Sequence, residues 1–395
     1  MIFGGTNMES AGNDPSPHAS GPLDGLKVVE LAGIGPGPYA CMLLADLGAD
    51  VLRIERGDAD ADHETTWELL NRSRPSVAVD LKNAAGRDLV LKLCEQADVL
   101  VEGFRPGVTE RLGLGPEDVA RHNPRLVYGR MTGYGQDGPN AQRAGHDINY
   151  IAVSGALWPM GRKGESPVPP LNLVGDFGGG SLFLVFGVLA AVISARTSGE
   201  GQVVDAAMVD GSASLMTLSH ALMNAGFWHE ERGANLLDTG APFYEVYETR
   251  DGQYVAVGAI ETKFYEELLV GLGIKGSELP AQFDRESWPA TKELFAATFR
   301  EKTRDEWTEI FEGVDACVTP VLTPREAARH HYNTARDVFS VDGDIQPQPA
   351  PRFSKTPGAI GRSPGKAGSG TREGLLRWGI GPKHQEALRA EGAFG

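Results

Sequence analysis

Apolar and polar positions alternate in a clear rhythm from about residue 22 onward. Short β-branched runs occur at LKVVEL (26–31), DVLRIE (50–55), SVAVDL (76–81), DVLVEG (98–103) and RLVYGRM (125–131). Between several of them stand stretches with helical period, such as PYACMLLADLGA (38–49) and AAGRDLVLKLCEQA (84–97). Strands alternating with helices predict a parallel, doubly wound α/β sheet, whose ligands sit at the carboxyl ends of its strands. Residues 176–225 then read as mostly apolar and helical by period. The longest apolar run, Leu182 to Ala195, predicts a buried helix and not a membrane span, because it falls short of 18 continuous apolar residues.

The second half has a different pattern. APFYEVYETRDGQYVAVGAI (241–260) alternates on both sides of Arg-Asp-Gly, a hairpin signal. Helical stretches follow at 263–273, 290–302 and 304–314, and then a short strand within ACVTPVLT (316–323). The organisation read from this is a disordered tail at 1–21, a large α/β domain at 22–224, a small α+β domain at 225–330, and a segment at 331–395 that returns to the large domain.

Composition narrows the function. The formal net charge of −16 repels phosphate polymers and argues against nucleic-acid binding. Three cysteines suit a reducing compartment without a disulfide framework. The N-terminal residues match neither a signal nor a transit peptide, and the C-terminus is not Ser-Lys-Leu, so a cytoplasmic location is expected. Within this acidic chain, Arg53, Arg56, Arg72, Arg74, Lys82 and Arg105 cluster near strand ends and suggest an anion site.

Several short motifs compete. GIGPGP (33–38) follows the first strand but has Pro38 where a dinucleotide fingerprint has its third glycine, so a plain strand-to-helix turn is favoured over nicotinamide binding. Asp-Phe-Gly at 176–178 is the kinase magnesium triplet, but the chain has no matching catalytic loop or lysine strand. His330 and His331 have no Cys or carboxylate spacing to complete a metal site, so none is expected. His146 and Asp147 stand at a loop-to-helix junction, where His146 suits acid–base work and Asp147 suits an N-cap. Asp176 stands before Gly-Gly-Gly and a helix expected to begin near Ser181, whose free N–H groups would favour an anion; a helix cap is the plainer alternative. Glu261 closes a strand, as a solvated end or a cap.

GHDINY (145–150), PLNLVGDFGGG (170–180), RGANLLDTGAPFY (232–244), VGAIE (257–261) and DACVTPVLT (315–323) together resemble the family III CoA-transferase (CaiB/BaiF-like) superfamily, and within it the racemases of 2-methylacyl-CoA thioesters. The resemblance covers about residues 22 to 360. It implies a large Rossmann-like domain and a small α+β domain, in an interlocked homodimer with active sites between subunits. It further implies 1,1-proton transfer through an enolate. His146 and Asp176 would be the two acid–base groups, with Glu261 hydrogen-bonded to Asp176 and the N–H of Asp147 as an enolate donor. CoA contacts fall at Arg56, Val79, Asp80, Leu81, Lys82 and Arg105, and at Gly145, Asp147, Ile148, Asn149 and Tyr150. No separate cofactor is implied, since CoA enters as part of the substrate. The alternative within the superfamily is CoA transfer with Asp176 as nucleophile. A CoA-binding protein without catalysis is a third possibility.

Overall fold

The computed structural model describes residues 21–56, 68–341 and 343–394. The expected N-terminal tail lies outside them, apart from Gly21. The chain forms two compact units, each assembled from separated stretches. Of the described residues, one unit takes those within 21–132, 181–206 and 348–394, and the other those within 133–180 and 207–347.

The first unit is built on a six-stranded sheet. Its strands are β1 (Lys27–Leu31), β2 (Asp50–Glu55), β3 (Ser76–Ala78), β4 (Val99–Glu102), β5 (Val127–Thr132) and β6 (Val203–Ala207), in the order β3-β2-β1-β4-β5-β6. The β1–β2, β1–β4, β2–β3 and β4–β5 pairs are parallel, as the strand–helix rhythm predicts. Strand order reverses between β1 and β4, which opens a crevice at the carboxyl ends. β6 departs from the sequence reading, which gave its region as helical throughout. Its VVDAA is short and lies between two helical stretches, so only the sheet edge beside β5 selects it.

Local chemistry sets the helix ends. The helix Pro36–Asp46 begins after Gly35, whose φ of 70° suits glycine, with proline at its first position. The helix Ala84–Cys94 is capped by Asn83, whose Oδ1 accepts the N–H of Ala85 at 2.8 Å. The apolar helix Leu182–Ser198 corrects the expectation of a buried helix. Leu184 and Val188 are buried, and both come against Gly129 of β5; Phe186 is 75% exposed and Ile193 68% exposed. With the preceding turn it forms a stretch, Leu173–Ser198, long and apolar enough to cross a membrane by length and composition.

The C-terminal stretch completes this unit. The helix Thr371–Arg377 lies against β3, and Leu375 and Trp378 are fully buried in the core with Leu52, Val77 and Leu100. Near the end of the chain, the carbonyl of Ala393 accepts the N–H of Asp80 at 2.9 Å, and Asn83 Nδ2 donates to the carbonyl of Glu391 at 3.0 Å.

The second unit holds a three-stranded antiparallel sheet of β7 (Tyr244–Glu248), β8 (Tyr254–Gly258) and β9 (Val318–Pro320). β7 and β8 form the hairpin expected around Arg-Asp-Gly. The core beneath is aromatic: Phe243, Phe295, Phe299 and Trp307 are almost fully buried, and Tyr247 stacks on Phe299 with centroids 5.0 Å apart.

Candidate active site

At the carboxyl ends of β1 to β4, the first unit has a cavity of about 540 Å³. Ala32, Ile54, Glu55, Arg56, Val79, Asp80, Leu81, Lys82, Phe104 and Leu112 line it. Five residues expected to contact CoA are therefore together here. Arg105 is exposed in the turn before the helix Val108–Arg111 and is not among the lining residues. The loop from Val79 to Lys82 is held from behind. Lys82 N–H donates to Asp80 Oδ1 at 2.9 Å, and Ala393 holds Asp80 as described.

The basic cluster read from sequence proves to be two populations. Arg53, Arg72 and Arg74 are buried and bound to internal carboxylates: Arg53 to Glu55 at 2.8 Å, Arg72 to Asp46 at 2.6 Å and Arg74 to Glu30 at 2.8 Å. They stabilise strand ends and do not form an anion site, because a buried ion is costly without its counter-charge. Burial nevertheless raises the Glu30 carboxyl above its usual range, against the pull of Arg74 and Arg53. Arg56 and Lys82 remain at the cavity wall.

The proton-transfer candidates are in the second unit. His146 is exposed and flanks the helix Asp147–Val153 as its N-cap residue; its N–H donates to Asn149 Oδ1 at 3.0 Å. Asp147 is thus the first helical residue and not the cap. Gly145 accepts a hydrogen bond from the hydroxyl of Tyr150, which is buried. Any side chain at Gly133 would strike the Tyr150 ring, with its Cβ 2.0 Å from that ring. Ile148 and Asn149 are exposed on the same helix.

Asp176 lies inside a π-helical segment, Leu173–Ser181, and not before a helix. The helix Leu182–Ser198 begins where the sequence placed it, with Ser181 as its N-cap residue, but the π-helical segment runs directly into it, so Asp176 stands in the first turn of that segment and not in a break before the helix. A π-turn is a feature common at functional sites. Asp176 is half-buried, and Asn172 Nδ2 donates to its Oδ2 at 3.1 Å. Its main-chain N–H donates to Asp147 Oδ2 at 2.7 Å. Burial chiefly pushes the Asp176 carboxyl above the usual range. The hydrogen bond from Asn172 opposes this, the charge of Asp147 adds to it, and His146 opposes it.

His146, Asp147 and Asp176 are therefore gathered by one unit of one chain. Glu261 is not gathered with them. It is exposed as the N-cap residue of the helix Thr262–Leu272 and acts electrostatically on Cys317; it is not among the charges acting on Asp176. The side chains of Asp147 and Asn172 had no signal in the sequence as neighbours of Asp176. Only the glycine at 175 hinted at a close approach. Among the described residues, no group of three or more His, Cys, Asp or Glu is placed to hold a metal ion.

A half-buried carboxyl with raised proton affinity, within electrostatic reach of an imidazole, has the chemistry of an acid–base group. The sequence profile of CoA-transferase family III matches residues 23–371. Alpha-methylacyl-CoA racemases of Mus musculus and Homo sapiens are each 48% identical over 337 residues, which is 85% of this chain and 87% of each relative. The succinyl-CoA:glutarate CoA-transferase of Homo sapiens is 30% identical over 379 residues, covering 89% of this chain and 84% of that protein. Among solved structures, a CAIB/BAIF family protein from Brucella suis superposes with a TM-score of 0.78 at 24% identity, over 91% of this chain and all of that one, and shares the fold. Rv3272 from M. tuberculosis gives 0.74 at 26% identity, over 90% of this chain and 99% of the other.

Proposed function

This chain belongs to CoA-transferase family III, and we propose that it racemises 2-methylacyl-CoA thioesters, interconverting the 2R and 2S epimers by 1,1-proton transfer. One observation carries the mechanism: the half-buried Asp176 carboxyl, raised by burial, with His146 acting on it. The α-proton of a thioester is far less acidic than the conjugate acid of any protein base, so abstraction needs a base on one face and stabilisation of the enolate oxygen. A second acid on the other face then returns the proton with inverted configuration. His146 and Asp176 take these two roles, and the N–H of Asp147 donates to the enolate oxygen. Neither base need be strong, because stabilising the developing enolate oxygen brings the acidity of the α-carbon closer to that of the side chain that takes its proton.

CoA is the substrate's handle and no other cofactor takes part. Arg56 and Lys82 bind its phosphates at the cavity wall, Val79, Asp80, Leu81 and Arg105 complete the grip, and Gly145, Asp147, Ile148, Asn149 and Tyr150 are further CoA contacts by the family resemblance. The working form is a homodimer, in which Glu261 of a second copy reaches Asp176. The separation of Glu261 from Asp176 within one chain and the bare apolar side of Leu182–Ser198 both support this. The setting is cytoplasmic. The transferase relatives favour a second reading, in which the Asp176 carboxylate attacks the thioester carbonyl and expels the CoA thiolate.

The two readings separate in heavy water. A single-epimer 2-methylacyl-CoA incubated with the enzyme is expected to lose its α-proton NMR signal and to yield both epimers. A substrate that keeps its α-proton and passes CoA to an added carboxylic acid would overturn racemisation in favour of transfer. Lys82→Ala is expected to raise KM about tenfold with kcat within about twofold, the loss of one charge-assisted contact to the CoA end. Initial rates across substrate concentrations measure this split.

A further inference from the structure

We propose that the side chain of Asp147 is a positioning carboxylate for Asp176: it anchors the main chain of Asp176 and sets a negative charge beside its carboxyl. This rests on the racemase reading. It also goes beyond the enolate-donor role, which uses only the main-chain N–H of Asp147.

The side chain is spent on this contact alone. Asp147 is 5% exposed, and its Oδ2 accepts the N–H of Asp176 at 2.7 Å. Its Oδ1 is buried without a hydrogen-bond partner among the described residues. A buried carboxylate with one oxygen unsatisfied is costly, so its retention calls for a use. The contact joins residues 29 apart in sequence, one at the start of the helix Asp147–Val153 and one within the π-helical segment. The N–H groups in the first turn of a helical segment lack intrahelical acceptors, and Asp147 supplies one from outside.

The neighbouring sequence accommodates it. A Cβ on Gly175 would lie 2.7 Å from Asp147 Oδ2 and 2.8 Å from its Cγ, so the residue before Asp176 has to be glycine for the carboxylate to approach. Among the described residues, Asn172, from its own segment, donates to Asp176 Oδ2, and Asp147, His146 and Tyr150 act on it from the other helix; the proposed dimer adds Glu261 of the second copy. Of these, Asp147 adds negative charge, which favours the protonated form of Asp176 and so keeps it able to act as an acid as well as a base. The resemblance gives Glu261 a hydrogen bond to Asp176; within one chain the neighbouring carboxylate is that of Asp147.

Asp147→Asn in the full chain keeps an acceptor oxygen for the Asp176 N–H and removes the charge. The pH profile of kcat/KM for racemisation is expected to move to lower pH in both directions of reaction, because Asp176 then yields its proton more readily. Asp147→Ala loses the anchor as well, and kcat is expected to fall about a hundredfold with KM within about threefold, the effect of a reacting group displaced by an ångström. An Asp147→Asn profile that superimposes on wild type overturns the proposal, as does an Asp147→Ala enzyme with unchanged kcat. If Asp147→Ala does not fold, the Asp147→Asn profile decides alone. A wild-type enzyme that exchanges no α-proton at any pH instead overturns the racemase reading, and this role with it.

Discussion

Asp176→Ala lowers racemisation by about a thousandfold and leaves acyl-CoA affinity within about threefold of wild type. The size follows from removing one of two proton-transfer groups while the cavity proposed for CoA keeps its residues. The stereochemistry is more telling than the rate. With His146 left as the sole base, the epimer whose α-proton faces it still exchanges with heavy water, but the proton returns on the same face. Deuterium therefore enters one epimer without forming the other. NMR of each pure epimer in heavy water reads both quantities. An Asp176→Ala enzyme that still interconverts the epimers at the wild-type rate would remove Asp176 from the chemistry.

Gly211→Val destabilises the protein by about 3 kcal/mol and lowers Tm by roughly 6–12 °C. Gly211 lies in the helix Met208–Leu215, and a Cβ there would sit 1.8 Å from the carbonyl oxygen of Gly179. The obstacle is backbone on both sides, since a Cβ on Gly179 would likewise fall 2.7 Å from the N of Ser212. No rotamer change relieves such a contact. Separating the two segments would also move the π-helical turn that carries Asp176, so activity falls with stability. Calorimetric melting measures the effect, and a variant that melts within about a degree of wild type would mean that this backbone can yield.

Much of the sheet was legible because it obeys local rules. β1 to β5 are β-branched runs bounded by turns, and their alternation with helices dictates parallel pairing. β6 was not legible, since five residues of modest propensity acquire their conformation from a neighbouring strand. The π-helical turn was equally hidden: GDFGGG reads as a break before a helix, and nothing local distinguishes a break from a widened turn. His146 and Asp176 were visible as residue types in their motifs, yet their surroundings were not. Which arginines are bound by Glu30, Glu55 and Asp46 depends on strand register, so Arg53, Arg72 and Arg74 could not be told from Arg56 in the sequence. The Asp147 carboxylate meets the Asp176 N–H only once two distant segments are packed, and composition carries no trace of that.

The first unit draws its final piece from far along the chain, and this gives its folding a schedule. Ala78 of β3 donates to Thr371 Oγ1 across 293 residues, and Leu375 and Trp378 plug the core beside it. On a ribosome adding about 5–20 residues per second, β3 emerges some 15–60 s before the helix that covers it. Through that interval the part of the apolar face that Leu375 and Trp378 will cover stays open, while Leu89, Val90 and Leu93 can already pack on the rest. Slower translation lengthens the exposure, so the yield of folded enzyme depends on how well nascent chains are shielded while the remaining residues are made.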